Sequence, residues 1–212
     1  GVDPPRLDFM DVVTSDQNHT DHLDSEPLGP LLAANPNMEI VVPAANQDFA
    51  AQRLQVDPAR LTPCVSGDII STHGFLLHGL PAAHEQIEHD EQGRDRFMGF
   101  VVQFGLFSVY HSGDTIRFEG QAEFVRARGC DVALLPINGR TPQRRVAGNL
   151  WGREAAQLAQ DIGAGVVIPC HYDMFEFNTE TPAEFIETCE RLGQPHRVLR
   201  CGERFTHSAH TV

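Results

Sequence analysis

The chain has no apolar run approaching the roughly 20 residues that a membrane helix requires, and no apolar segment follows the opening residues Gly1 to Arg6 as it would in a signal peptide. A membrane partner is therefore not expected. Basic residues are also scarce: 16 Lys and Arg face 29 Asp and Glu, for a formal charge of −13. Nucleic acids are held mainly by basic side chains that neutralise phosphates, so no nucleic acid partner is expected either. The local cluster Arg140, Arg144 and Arg145 is the exception and suits one small anionic group. Cysteines number 5, an odd count, and none forms a C-x-x-C pair. That pattern indicates neither a disulfide framework nor a cysteine zinc knuckle. It fits a reducing cytoplasm, with most thiols acting as small buried apolar groups.

What is present suffices for one core, and residues 1–212 read as a single domain. Apolar, β-branched runs at 39–42, 68–77, 99–104, 107–110, 131–135, 165–168 and 197–199 predict buried strands. Helical patterns lie between several of them. One runs over 43–54. A second, over 149–162, places Leu150, Ala155, Leu158 and Ile162 on one stripe and stops at Gly163. A third opens with Thr181 as N-cap, Pro182 in first position and Glu184 closing a capping box. The middle is strand-rich while both flanks mix strands and helices, which predicts an α/β sandwich with antiparallel elements. The polar stretch 84–96 reads as a mobile loop over or beside a site.

The densest chemistry lies in Gln17-Asn18-His19-Thr20-Asp21-His22, where two imidazoles and a carboxylate share four positions. Such a cluster is costly unless something binds it, and borderline-soft divalent metals take that mixture of ligands. His84, Asp114 and His171 follow at long intervals. Asp114 sits after Ser112-Gly113, and His171 ends the apolar run 166–170. All are expected on loops or strand ends, where side chains from distant segments can converge. Read singly, each has a structural alternative: a solvated loop, a surface histidine, or a turn residue after glycine. Their ordered combination favours a metal site. His73, His78, His89, His196, His207 and His210 lack such context and are expected in surface or packing roles. Trp151, Phe175 and Phe177 are expected in the core or a pocket wall.

This ordered pattern resembles the metallo-β-lactamase-fold hydrolases, and within them the branch of L-ascorbate-6-phosphate lactonase and related metal-dependent hydrolases. The family pattern H-x-H-x-D-H, then His, then S-G-D, then a His after an apolar strand, falls on Gln17, His19, Asp21, His22, His84, Asp114 and His171. The resemblance implies a four-layer αβ/βα sandwich with a metal site at one edge of its sheets. It also implies that His19 and His84 hold one divalent ion, that Asp21, His22 and His171 hold a second, and that Asp114 bridges them. Zinc and manganese are the expected ions, one or two per chain.

Two departures stand out. Gln17 occupies the position of the leading histidine, and a neutral amide is the weaker ligand, so the first metal position should be weak or lost. The family also places several strands before this motif, whereas here it begins at Gln17. This implies a truncated N-terminus and a sheet lacking its first strands.

The implied chemistry is attack by a metal-activated hydroxide, since an ion lowers the pKa of water towards about 7 and polarises the attacked oxygen. Asp21 and Asp114 are the expected catalytic carboxylates. His111 is expected to steady a ligating group, and Asn138 and Arg140 to form a substrate loop, with Asn138-Gly139 as a plain turn the equal alternative. The leading expectation is hydrolysis of a small anionic ester, lactone or sugar-phosphate-like molecule. Phosphodiester cleavage is the second reading, β-lactam hydrolysis a weaker one. A degenerate member that binds metal or ligand without turnover is the third. Self-association through an unpaired sheet edge is compatible with all of them.

Overall fold

The computed structural model describes residues 3–207, so His210 lies outside them. Two sheets form the centre. The smaller is entirely parallel, in the order β1 (Val12–Thr14), β2 (Glu39–Pro43), β3 (Leu61–Cys64). A parallel strand covered on both faces needs apolar residues on both, and Ile40, Val41 and Val42 supply them. Ile40 and Val42 pack beneath α1 (Ser25–Ala34) and α2 (Gln47–Leu54), along with Leu31, Ala50 and Leu54. Val41 faces the other way, into a layer between the sheets shared with Leu77, Met98 and Phe100.

The larger sheet has six strands in sequence order: β4 (Ile69–Thr72), β5 (Phe75–Pro81), β6 (Met98–Phe104), β7 (Phe107–His111), β8 (Val132–Pro136) and β9 (Val166–Cys170). The first four run antiparallel. The last two are parallel to β7 because helical crossovers, α3 (Gln121–Arg126) and α4 (Gly152–Ile162), connect them. Those helices and α5 (Ala183–Leu192) cover the outer face, where Tyr110, Ala133 and Leu135 alternate with residues facing inwards. The result is the expected αβ/βα sandwich. On the inner face of β8 and β9, Val132, Val166 and Ile168 are covered by Leu199 and Phe205 from the C-terminal segment.

Several local expectations are corrected. The run 68–77 is a hairpin, not one strand: His73 and Gly74 both have positive φ (47° and 82°), the geometry of a two-residue turn matched to strand twist. Residues 197–199 form no strand. That segment meets β9 through one isolated bridge, His196 with Val167, and Leu199 turns under the sheet to cover its apolar face. Pro43 ends β2, and a short 3₁₀ turn precedes α2. α4 starts at Gly152, with Glu154 reaching back to the Trp151 amide at 3.0 Å, so Asn149 lies outside the helix. α5 starts at Ala183 without a side-chain cap, because Glu184 instead pairs with Arg153. The 84–96 stretch is less loose than its composition suggests, since Asp90 accepts hydrogen bonds from the backbone of Gln92 and Arg94 and from the Arg94 side chain. No helix among the described residues is long and apolar enough to cross a membrane.

The inter-sheet layer holds the two halves together. Phe100 is 1% exposed in it, so Phe100→Ala is expected to cost about 3–5 kcal/mol of unfolding free energy in urea titration. A loss below about 1 kcal/mol would show that the sheets do not depend on this layer.

Candidate metal centre

β1, β5, β7, β8 and β9 all deliver their following loops to one sheet edge. The first of these, 15–24, is tied down at several points. The Ser15 amide bonds Val41, and its hydroxyl lies 2.9 and 3.0 Å from the Gln17 and His22 carbonyls. The Met98 amide bonds the Asp16 carbonyl, and Leu23 is sunk into the helix-covered core. Ala83 pairs with Ile116, drawing the His84 loop against the Asp114 loop. Gly113 turns the chain before Asp114 with φ 62°, and a Cβ there would stand 2.4 Å from the Met98 carbonyl oxygen. His171 follows β9 in the same left-handed region, φ 57°.

Asp21, His22, Asp114 and His171 come together so that one ligand atom from each lies within 4.8 Å of all the others. His22 Nε2 is 3.1 Å from Asp114 Oδ2 and 3.5 Å from Asp21 Oδ2. His171 Nε2 is 3.6 and 3.5 Å from the same two oxygens. His19 and His84 stand on the opposite side, edge to face with ring centroids 5.4 Å apart, and Phe97 packs against both. His84 Nε2 is 3.8 Å from Asp114 Oδ2, while its Nδ1 meets the Gly148 carbonyl at 3.2 Å. Gln17 points its amide nitrogen at Asp114 Oδ2, 2.9 Å away. The reverse orientation would set two acceptors against each other at that distance.

The charges explain the protonation. Burial alone would neutralise Asp114, but hydrogen bonds from His171 and His22 outweigh it and hold its carboxyl well below the usual range. His171 and His22 hold Asp21 low in the same way. Burial opposes a charged His22, yet Asp114, Asp16 and Asp21 raise it far above its ordinary value. His171 is likewise opposed by burial but raised to about 9 by Asp114 and Asp21. His19, lowered by burial and by His84, stays neutral. The buried Asp114 and the more exposed Asp21 thus recruit protons onto two imidazoles. A divalent cation satisfies the same four groups without those protons, and the donor set of two imidazole nitrogens and two carboxylate oxygens suits zinc, manganese or iron. The residues fit an ion.

Three residues escaped the sequence reading. Asp16 holds His22 Nδ1 at 2.7 Å, fixing the ring so that Nε2 faces the cluster. Its only sequence signal was its place in the same loop. Asn149 donates to Asp114 Oδ1 at 2.9 Å and to Asn138 Oδ1 at 3.0 Å. Arg53, from α2, reaches the loop carbonyls of Asn18 and Leu23. Two expected substrate residues are otherwise engaged. Asn138 is fully buried and bonds Asn149 and Asn178. Arg140 closes a fork onto Glu154 at 2.7 and 2.8 Å and bonds the Asn149 carbonyl, so it braces the start of α4. His111 accepts from the Gly113 amide at 3.1 Å, and its Nδ1 stands 3.7 Å from Asp16.

Residues 3–172 match the beta-lactamase superfamily domain, and with the four-layer fold they define a protein of the metallo-β-lactamase-fold class. A UPF0173 metal-dependent hydrolase from Rubrobacter xylanophilus is 35% identical over 136 residues, which cover 62% of this chain and about half (53%) of that protein. One from Methanoculleus marisnigri is 31% identical over 185 residues, covering 85% of this chain and 74% of the relative. The chain belongs to the UPF0173 metal-dependent hydrolase family. A solved metallo hydrolase from Ignicoccus hospitalis superposes with a TM-score of 0.71 at 22% identity, covering 91% of this chain and 77% of its own; at that identity the likeness is one of fold.

Asp16→Asn is expected to weaken metal binding about 10- to 100-fold in competition with a chelator, because the His22 ring loses its orienting charge. An unchanged affinity would show that Asp16 does not set the ring. The pH dependence of the metal-stripped protein follows from the raised histidines. The folded state holds these protons more tightly than the unfolded chain. The resulting stability is present below about pH 6.5 and lost as pH rises through about 9. Urea midpoints across that window should fall; a rise would contradict the assignment.

Proposed function

We propose that this metal-dependent hydrolase acts on a small anionic ester or lactone as a single domain, with one divalent ion held by Asp21, His22, Asp114 and His171. The observation that carries this reading is the convergence of those four donor atoms within 4.8 Å beside a cavity of about 660 Å³. A bound ion supplies Lewis-acid polarisation of a carbonyl oxygen and a lowered pKa for water. The remaining roles fall to the chain. Asp114 is buried and fully engaged, which suits a ligand that keeps its charge. Asp21 is one-fifth exposed and lines the cavity, which suits orienting a water and taking its proton. His19, kept neutral by burial, and His84, with Phe97 behind them, form the adjoining wall and limit access of water.

Gln17 supports an ester or lactone over a phosphodiester. Its amide hydrogen bonds the Asp114 oxygen that the first ion would need, so His19 and His84 lack both a third imidazole and a free bridging atom. Phosphodiester cleavage commonly draws on two ions clamping the attacking and leaving oxygens, whereas one ion can polarise a carbonyl. The lactonase-like placement rests on this argument and on the sequence pattern. Gln17 also supports the reading of a member that binds without turnover. A cytoplasmic setting is supported by free cysteines, of which Cys64, Cys130 and Cys189 are buried thiols.

Elemental mass spectrometry on protein purified without added metal is expected to find about one ion per chain, zinc or manganese, and Gln17→His about two. Turnover of lactones or aryl esters should vanish on chelation and return with metal. Two ions in the unmodified chain would refute the role given to Gln17. Metal binding without any turnover would favour the binding reading.

A further inference from the structure

We propose that the cleft selects an amphipathic monoanion, a carboxylate carried on an apolar or aromatic body, with Arg53 taking the carboxylate. For turnover this rests on the hydrolase reading above; for recognition it stands on the cleft alone. All 16 basic residues of the chain are arginines, and of the cluster that sequence alone favoured, Arg140 is locked onto Glu154 and Arg144 onto Glu180. Arg145 lines a neighbouring cavity beside Glu85. Arg53 is the basic residue on the wall that also carries Asp21, His84, Asp114 and His171.

Arg53 is built to be held still and left unpaired. Its guanidinium lies 4.4 Å from the centroid of the Phe49 ring, and Nη1 donates to the Asn18 and Leu23 carbonyls at 2.6 and 3.2 Å. Its partners among the described residues are those two carbonyls and that ring, which leaves Nε and Nη2 with no protein acceptor. A planar fork of two free N–H donors matches a carboxylate. One such cation among several acidic ligands suits a singly charged group better than a phosphate dianion.

Much of the rest of the wall is apolar, interrupted by Asn18, Thr20 and Asn178. Phe49, Val146 and Phe177 are 41%, 39% and 61% exposed, and Phe175 packs at a tilt beside Phe177 with centroids 5.8 Å apart. A sugar would set several of its hydroxyls against the rings and Val146, which cannot satisfy them, at the cost of their desolvation. An alkyl or aryl body instead buries the exposed rings. This narrows the ester or lactone substrate to one with a lipophilic body and a free acid, and sets it apart from a sugar phosphate.

The test is isothermal titration of metal-loaded protein with 4-phenylbutyrate, its neutral amide 4-phenylbutyramide, and glucose 6-phosphate. The acid is expected to bind on the order of tenfold tighter than the amide, and tighter than the sugar phosphate. In Arg53→Gln the acid-over-amide ratio should fall towards one, and Arg53→Lys should keep part of it. Because Arg53 also braces the ligand loop, metal content is measured for each variant. The ratio cancels any general loss of affinity. A preference that survives Arg53→Gln would put the carboxylate on the metal and overturn the proposal, as would tighter binding of the sugar phosphate. The aryl ester 4-nitrophenyl hemiglutarate separates the two readings. Acid preference lost with Arg53, but no hydrolysis of this ester, would support the recognition and refute the ester-hydrolysis reading.

Discussion

A carboxylate buried to 5% exposure is an expensive object, and Asp114 organises the molecule around the need to keep it charged. Three segments distant in sequence supply partners to its two oxygens. Gln17 and His22 come from the loop after β1, Asn149 from the approach to α4, and His171 from the end of β9. None could reach it unless both sheets presented the same edges in register. The packing between the sheets, through Val41, Leu77, Met98 and Phe100, is therefore what makes the charge tolerable. The charge in turn suits that edge to a cation.

The supporting contacts extend beyond the ligands and join parts of the chain that would otherwise move separately. Asn178, on the cleft wall, accepts from Asn138, which accepts from Asn149, which donates to Asp114. This row of amides carries no net charge, so it fixes geometry without altering the electrostatic balance. It links the aromatic rim near Phe175 and Phe177 to the buried carboxylate. Arg53 makes a comparable link on the other side, from the α2 surface to the loop bearing His19, Asp21 and His22.

The convergence of Asp21, His22, Asp114 and His171 was legible because metal chemistry restricts residue types and the loop packs two of them side by side. The sandwich was legible because buried strands leave apolar runs. What could not be read were relations that depend on where a side chain ends up. Arg140 looked free for substrate, yet Glu154 lies one helical turn into α4 and closes on it. Asn149 looked like the first residue of that helix, yet the chain stays extended until Trp151, leaving Asn149 to face Asp114. Asp16 is an ordinary residue until the turn at His19 brings His22 back over it. The hairpin at His73-Gly74 was hidden because apolar residues continue on both sides of the turn, and a uniform run gives no signal of reversal.

Glutamine and histidine codons differ at a single base, and Gln17 sits where that difference matters. As glutamine it lends the buried carboxylate a fixed hydrogen, a small internal substitute for part of a cation's charge. As histidine it would withdraw that hydrogen bond and offer an electron pair beside His19 and His84. The surrounding packing serves either side chain, since the other groups around Asp114 are anchored independently of it. On the proposed reading, one nucleotide change would separate a centre with a built-in stand-in from one that recruits a second ion, and would change this chain's dependence on metal supply.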